Sequence, residues 1–129
     1  MKSFIAALIL FNLVFANAIA DDVKKVVLHV SDPEKILQMI DTIKHLRRNH
    51  KNLEISVVVN GPAVVRLSKR YRYAKELVEN THWIGACAMG MFNNKMAQSD
   101  LEEGVHFLTE SGIATLVKFQ NDGYSYIKI

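Results

Sequence analysis

The stretch Val26-Val27-Leu28-His29-Val30-Ser31-Asp32-Pro33-Glu34 decides the fold of this chain. Its first part is a nearly continuous β-branched run, which is typical of a strand covered on both faces, and we predict a first strand over residues 23–30. Asp32, Pro33 and Glu34 then favour the start of a helix. Asp32 can cap free backbone amides, Pro33 is tolerated in the first turn, and Glu34 is favourable near the positive end of the helix dipole.

The alternation of strand and helix continues to the end of the chain. Ile36, Ile40, Ile43 and Leu46 recur at helical spacing and would face the sheet. Further strands are predicted over residues 53–59, 83–89, 105–109 and 124–129, and helices after Pro62, over residues 73–80 and 91–98, and after Ser111-Gly112. Strands that alternate with helices predict a single three-layer α/β/α domain with a mostly parallel five-stranded sheet.

Residues 1–20 have the pattern of an export signal. Lys2 is their only charge, an apolar stretch follows it, and Ala18-Ile19-Ala20 supplies the small residues that a signal peptidase accepts. The stretch is marginal for a membrane-spanning helix, which needs about 20 residues, and an uncleaved anchor is the alternative. We expect cleavage to leave residues 21–129 as one domain, periplasmic or secreted, without stable membrane association.

The charge of the chain gives no support for a nucleic-acid partner. The sequence has 16 basic and 13 acidic side chains, and removal of residues 1–20 takes away one lysine and no acid, leaving 15 and 13. This excess is too small to favour binding to a polyanion. No Walker loop or Gly-x-Gly-x-x-Gly pattern is present, so no nucleotide cofactor is expected.

Cys87 is the one cysteine of the chain and cannot form an internal disulfide. In the predicted fold it lies between the end of the third strand and the next helix. Free backbone amides and the helix dipole stabilise an anion at such a junction, so a thiol placed there ionises more readily. Cys87 is therefore a candidate nucleophile and sulfur carrier. The alternative is a small buried apolar residue at the end of a core strand.

Other candidate site residues follow the carboxyl ends of the predicted strands, where ligands gather in open sheets of this kind. The predicted binding residues are Asn60, Gly61, Ala88, Met89, Gly90, Ser111 and Gly112. The amides of residues 88–90 are the expected anion contacts. His29 lies near the carboxyl end of the first strand and could assist Cys87 as a base or contact an anion. The alternative is a core histidine with satisfied hydrogen bonds.

The sulfur atoms of Cys87, Met89 and Met91 permit a second interpretation. On a strand these three residues would share one face, and thiolate and thioether ligands select Cu(I). Methionine is also a common core filler, and we favour that reading. We therefore expect neither a metal nor another cofactor.

The same residues carry a family resemblance. They are residues 26–30 with 32–34, the strand and turn Val57-Val58-Val59-Asn60-Gly61-Pro62, the strand that ends in Cys87, and the tail from Ser111 to Lys128. In this order, over about residues 23–129, the chain resembles the DsrE/DsrF family and, more narrowly, its small exported members. The resemblance implies a three-layer α/β/α domain that assembles into homotrimers or hexamers. It also implies a cysteine that in several relatives carries persulfide sulfur.

On this resemblance we expect an exported sulfur-relay protein that carries sulfane sulfur as a persulfide on Cys87, with donor and acceptor proteins as partners. Family members often have Gly-Pro-Gly at the turn and an Asn-Ser/Thr pair after the cysteine. This chain has Ala63 at the turn and Met89-Gly90 after the cysteine, so backbone amides would supply most of the anion stabilisation. The competing expectation is a non-catalytic oligomeric binding or assembly module with a buried structural cysteine.

Overall fold

A parallel sheet forms the centre of residues 24–129, the part of the chain that the computed structural model describes. Its strands are β1 (Lys25–Val30), β2 (Glu54–Val59), β3 (Trp83–Cys87), β4 (His106–Leu108) and β5 (Ser125–Lys128). They lie in the order β4-β3-β2-β1-β5, and every neighbouring pair is parallel. The expected five-stranded α/β sheet is confirmed. The export signal predicted over residues 1–20 lies outside the described residues.

Helices connect the strands and cover both faces of the sheet. They are α1 (Ile36–Asn49), α2 (Arg72–Asn80), α3 (Ala88–Asn93) and α4 (Gly112–Asn121), and 3-10 turns occupy Pro33–Lys35, Gly61–Leu67 and Gln98–Asp100. The cap predicted at Asp32 is confirmed, and Ser111 caps α4. The Asp32 carboxylate accepts a hydrogen bond of 2.9 Å from the Glu34 amide, and Ser111 Oγ accepts one of 3.0 Å from the Ala114 amide. Among the helices of residues 24–129, none combines the length and apolarity that crossing a membrane requires.

The two faces of the sheet are covered unequally. On one face α1, α2, α3 and the turn Gly61–Leu67 pack against alternate strand residues such as Leu28, Val57 and Ile84. On the opposite face, within residues 24–129, α4 is the one helix that packs against the sheet, with Leu116 against Val27 and Val58. Parallel strands bury both faces, which explains why β1 and β2 read as continuous apolar runs. The carboxyl end of the face that α4 covers carries the candidate site.

Two predicted boundaries after the sheet strands were wrong. The third strand ends at Cys87 instead of residue 89, and α3 occupies Ala88–Asn93 instead of residues 91–98. The partner strand β4 has only three residues, and its last, Leu108, pairs with Cys87. Because no ladder partner follows, β3 cannot continue past Cys87. The helix expected after Pro62 is a 3-10 turn over Gly61–Leu67, separate from α2.

Candidate functional site

Asn60 and Cys87 lie side by side at the carboxyl edge of the sheet. Val59 on β2 pairs with Ala86 on β3, so the residues that follow them continue the same register. Side chains alternate between faces along a strand, which puts both Asn60 and Cys87 on the face covered by α4. The sequence placed these residues in separate loops, and the strand order makes them neighbours.

The Cys87 thiol is free and largely covered. The residue is 6% exposed and occupies the position that immediately precedes α3. Within residues 24–129, the amides of Ala88, Met89 and Gly90 in the first turn of α3 have no hydrogen-bond partner. The predicted junction of strand end and helix start is therefore present, and Cys87 is mostly shielded from solvent there.

Gly112, the first residue of α4, packs against Asn60 and Cys87. A methyl group added to Gly112 would lie 3.3 Å from Cβ of Asn60 and 3.5 Å from Cβ of Cys87. Ser111 caps the Ala114 amide. The amides of Gly112 and Ile113, which precede it in the first turn of α4, make no hydrogen bond in the described part of the chain. The start of α4 thus adds free backbone donors beside Asn60 and Cys87. Ser111, which was predicted as a binding residue, serves as the cap of α4.

The turn after β2 and the helix after β3 are in tight contact. Gly61 has φ +55°, a conformation that glycine adopts without strain. A methyl group added to Gly90 in α3 would lie 2.9 Å from the backbone nitrogen and oxygen of Gly61. Gly90 therefore leaves no room for a side chain, and α3 is held against the turn by close backbone packing.

His29 is buried at 5% exposure, and both of its ring nitrogens are engaged. Nε2 lies 2.9 Å from Oδ1 of Asn60, and Nδ1 lies 2.8 Å from the hydroxyl oxygen of Tyr126. Burial lowers the pKa of His29, the hydrogen bond to Asn60 partly opposes this effect, and the positive charge of Lys128 adds to it. The imidazole is therefore neutral at neutral pH. Its hydrogen bonds go to Asn60 and Tyr126, as expected for a satisfied core histidine.

Sequence reasoning did not assign Tyr126 and Lys128 to the site. They reach it because β5 pairs with β1, which aligns Tyr126 with Val27 and Lys128 with His29. Lys128 Nζ donates a hydrogen bond of 2.6 Å to Ser31 Oγ at the end of β1. The alternating pattern of residues 124–129 predicted a strand, but nothing in that pattern said which strand it would join.

The Cu(I) interpretation rested on a strand that the structure does not have. Met89 and Met91 lie in α3, where Met89 is 64% exposed and Met91 is 1% exposed. Because one side chain points to solvent and the other into the core, Cys87, Met89 and Met91 do not share a face. The described residues also contain no group of three His, Cys, Asp or Glu side chains that could hold a metal ion.

The assembled site is suited to hold an anion on sulfur. Cys87 has Asn60 on one side and the start of α4 above it, and the first turn of α3 follows it. Backbone amides and carboxamide groups are hydrogen-bond donors of the kind that bind anions. Glu110, the carboxylate that precedes Ser111, is 2.6 Å from Lys118 and is paired with it.

Two solved structures have the same fold as this chain. One is that of MTH1491 from Methanobacterium thermoautotrophicum, a protein of unknown function, with 27% sequence identity and a TM-score of 0.74 over 82% of this chain and 99% of that protein. The other is the ychN protein from E. coli, with 14% identity and a TM-score of 0.65 over 82% and 98%. The chain therefore has the α/β fold of these DsrE-like neighbours. Neither a family model nor a curated protein matches its sequence.

Proposed function

We propose that this chain is an exported sulfur-relay protein that carries sulfane sulfur as a persulfide on Cys87. The observation that carries the proposal is the position of Cys87 at the carboxyl edge of a DsrE-like sheet, side by side with Asn60 and beneath the start of α4. In open parallel sheets this edge is where ligands and reacting groups gather. The free amides of α3 and α4 supply the donors that an anionic sulfur needs.

The proposed step is a thiol exchange that moves one sulfur atom. The Cys87 thiolate attacks the terminal sulfur of a donor persulfide, R–S–SH. A new S–S bond forms as the donor's S–S bond breaks, and the electron pair leaves with the donor sulfur as the thiolate R–S⁻. Cys87 then holds –S–SH, and an acceptor thiolate removes the terminal sulfur by the same reaction. Donor and acceptor exchange one sulfur with no net change in oxidation state.

Mass spectrometry of the whole protein tests this proposal. The wild type and its Cys87→Ser variant are each incubated with polysulfide and separated from excess reagent, and their intact masses are then measured. The wild type is expected to gain the mass of one sulfur atom, which dithiothreitol removes, and Cys87→Ser is expected to gain none. Equal gain by both proteins, or no gain by the wild type, contradicts carriage on Cys87.

A second candidate function is a non-catalytic homo-oligomeric assembly module. Two observations favour it: Cys87 is mostly buried, and α3 exposes Met89 at 64% and Phe92 at 79%. Exposed large apolar side chains in neighbouring positions are typical of surfaces that contact another protein. A homotrimer or hexamer built on α3 would cover these side chains. Such an assembly is compatible with sulfur carriage on Cys87. If Cys87 takes up no sulfur, assembly remains as the one proposed function.

A further inference from the structure

The strand β5 is an edge of the sheet, at the opposite end of the strand order from β4. The amide of Ile129 donates to the carbonyl of His29, so the backbone of Ile129 faces β1. Alternate residues of a strand turn their N–H and C=O groups to the same side, and Ile127 therefore faces β1 as well. The N–H and C=O groups of Tyr126 and Lys128 face away from the sheet, and within residues 24–129 they have no hydrogen-bond partner.

A groove lies beside this edge, on the face of the sheet that α1 covers. It has a volume of about 430 Å³ and lies at the amino end of the strands, between the end of α1 and the start of β5. Its apolar lining residues are Val26, Leu46, Leu53 and Ile127. Ile127 is 43% exposed, although it is a large apolar residue. An apolar side chain placed beside Ile127 would cover this surface and remove it from water.

The titratable residues that line the groove are all basic. They are Lys24, Lys25 and His50, and no carboxylate of the described residues lines it. Lys24 is exposed, and so is Lys128 on the edge strand itself. Lysine on an edge strand opposes pairing with the same edge of a second copy, because like charges are brought together. The charge of this surface therefore favours a segment with an acidic side chain over a second copy of this chain.

We propose that the β5 edge and the groove beside it bind an extended segment of another protein, which adds to the sheet as a further strand. The outward N–H and C=O groups of Tyr126 and Lys128 pair with the backbone of this segment. One of its apolar side chains enters the groove beside Ile127, and an acidic side chain lies near Lys24. Strand addition of this kind takes its affinity from main-chain hydrogen bonds and its specificity from pockets for alternate side chains. The inference is independent of sulfur carriage on Cys87.

Selection from a phage library of random linear heptapeptides tests the proposal on the immobilised full chain. The enriched peptides are expected to alternate apolar with polar residues and to contain Asp or Glu. One enriched peptide is then synthesised with a fluorescent label, and its affinity for the protein and its variants is measured by anisotropy. A library that yields no enriched peptide overturns the proposal.

Replacement of Lys128 separates the backbone donor from the side chain. Lys128→Pro removes the outward N–H group, and proline is tolerated on an edge strand where that group faces solvent. Lys128→Ala is the matched control, since it loses the same side chain and charge but keeps the N–H group. Lys128→Pro is expected to weaken peptide binding by about ten-fold relative to Lys128→Ala, the scale of one lost hydrogen bond. Equal affinity of the two variants, both shown by circular dichroism to be folded, overturns strand addition.

The groove and its charge have variants of their own. Ile127→Ser should weaken binding, and Leu37→Ser should not, because Leu37 is also exposed but does not line the groove. Lys24→Glu should weaken binding of an acidic peptide, and Lys35→Glu should not, because Lys35 is exposed and does not line the groove. Binding that neither Ile127→Ser nor Lys24→Glu weakens places the peptide elsewhere and overturns the proposal.

Light scattering decides between a partner segment and a second copy. The partner segment predicts that the mass of the protein is the same in Lys128→Pro and Lys128→Ala. A mass that falls toward that of the monomer in Lys128→Pro but not in Lys128→Ala would assign the β5 edge to a second copy and overturn the partner segment.

Discussion

The hydroxyl oxygen of Tyr126 lies 2.8 Å from Nδ1 of His29, although 97 residues separate the two in the chain. The contact exists because β5 completes the sheet beside β1. It satisfies one nitrogen of a histidine that is 5% exposed, and Asn60 satisfies the other. A neutral imidazole with a hydrogen bond at each ring nitrogen is therefore part of the carboxyl edge on which Cys87 lies.

His29 should make the protein less stable in mild acid. Its pKa in the folded chain is below the ordinary value of 6.5, chiefly because of burial. As the pH falls below about 6.5, the unfolded chain takes up this proton before the folded chain does, so the free energy of unfolding decreases. Above the unfolded pKa the contribution is fully present. Urea denaturation between about pH 7 and pH 5 should show this slope.

Substitution of the histidine separates its contribution from that of the other titrating groups. His29→Gln cannot take up the proton, so the pH slope of its free energy of unfolding should be shallower. His45→Gln is the matched substitution at an exposed histidine of α1, measured beside it. An unchanged slope in His29→Gln would contradict the assignment of a lowered pKa to His29.

Two glycines of the site should respond differently to the same change. Gly90→Ala forces a methyl group to 2.9 Å from the Gly61 backbone, and overpacking of this kind costs about 1–3 kcal/mol. Gly112→Ala places its methyl group at 3.3 Å or more from Asn60 and Cys87, which a small shift relieves. We expect a large loss of stability for Gly90→Ala and a small one for Gly112→Ala in chemical denaturation. Equal losses would contradict the tight contact of α3 with the turn.

Loss of the α4 cap should lower stability by a predictable amount. Ser111→Ala removes the oxygen that accepts from the Ala114 amide, and the free energy of unfolding should fall by about 1 kcal/mol. Ser111→Asp keeps a capping oxygen and should retain most of the stability. A full loss in Ser111→Asp as well would show that the hydroxyl has a role other than capping.

The exposed apolar surface of α3 should control association if the chain is a homo-oligomer. Phe92→Ser removes the most exposed of its large side chains, at 79% exposure, and should shift the mass measured by light scattering toward that of the monomer. Leu37→Ser is the control, since Leu37 is 62% exposed and belongs to a different helix, α1. An oligomer that survives Phe92→Ser but dissociates with Leu37→Ser would place the interface elsewhere.

The elements of the fold could be predicted from sequence where a local signal existed. The β-branched runs of β1 and β2 and the caps at Asp32 and Ser111 depend on residues close together in the chain, and the structure confirms them. The end of β3 at Cys87 depends on the length of its partner strand β4. That length cannot be predicted from the residues next to Cys87 in the chain.

The site was predicted only in part for a similar reason. Cys87, Asn60 and Gly112 follow the ends of strands, so the general rule for parallel sheets brought them to one edge. The bond between Tyr126 and His29 depends on the order of the strands, and the pattern of residues 124–129 is the same whichever strand they join.

The central claim is that the fold activates Cys87, and the rate of its reaction with polysulfide tests this most directly. The rate constant is measured at neutral pH for the folded wild type and for the same chain unfolded in urea, with Cys87→Ser as the blank. Free donors around the sulfur predict that the folded protein reacts faster than the unfolded chain, although the residue is mostly covered. A folded protein that reacts far more slowly than the unfolded chain would make Cys87 a packed core residue and contradict the account.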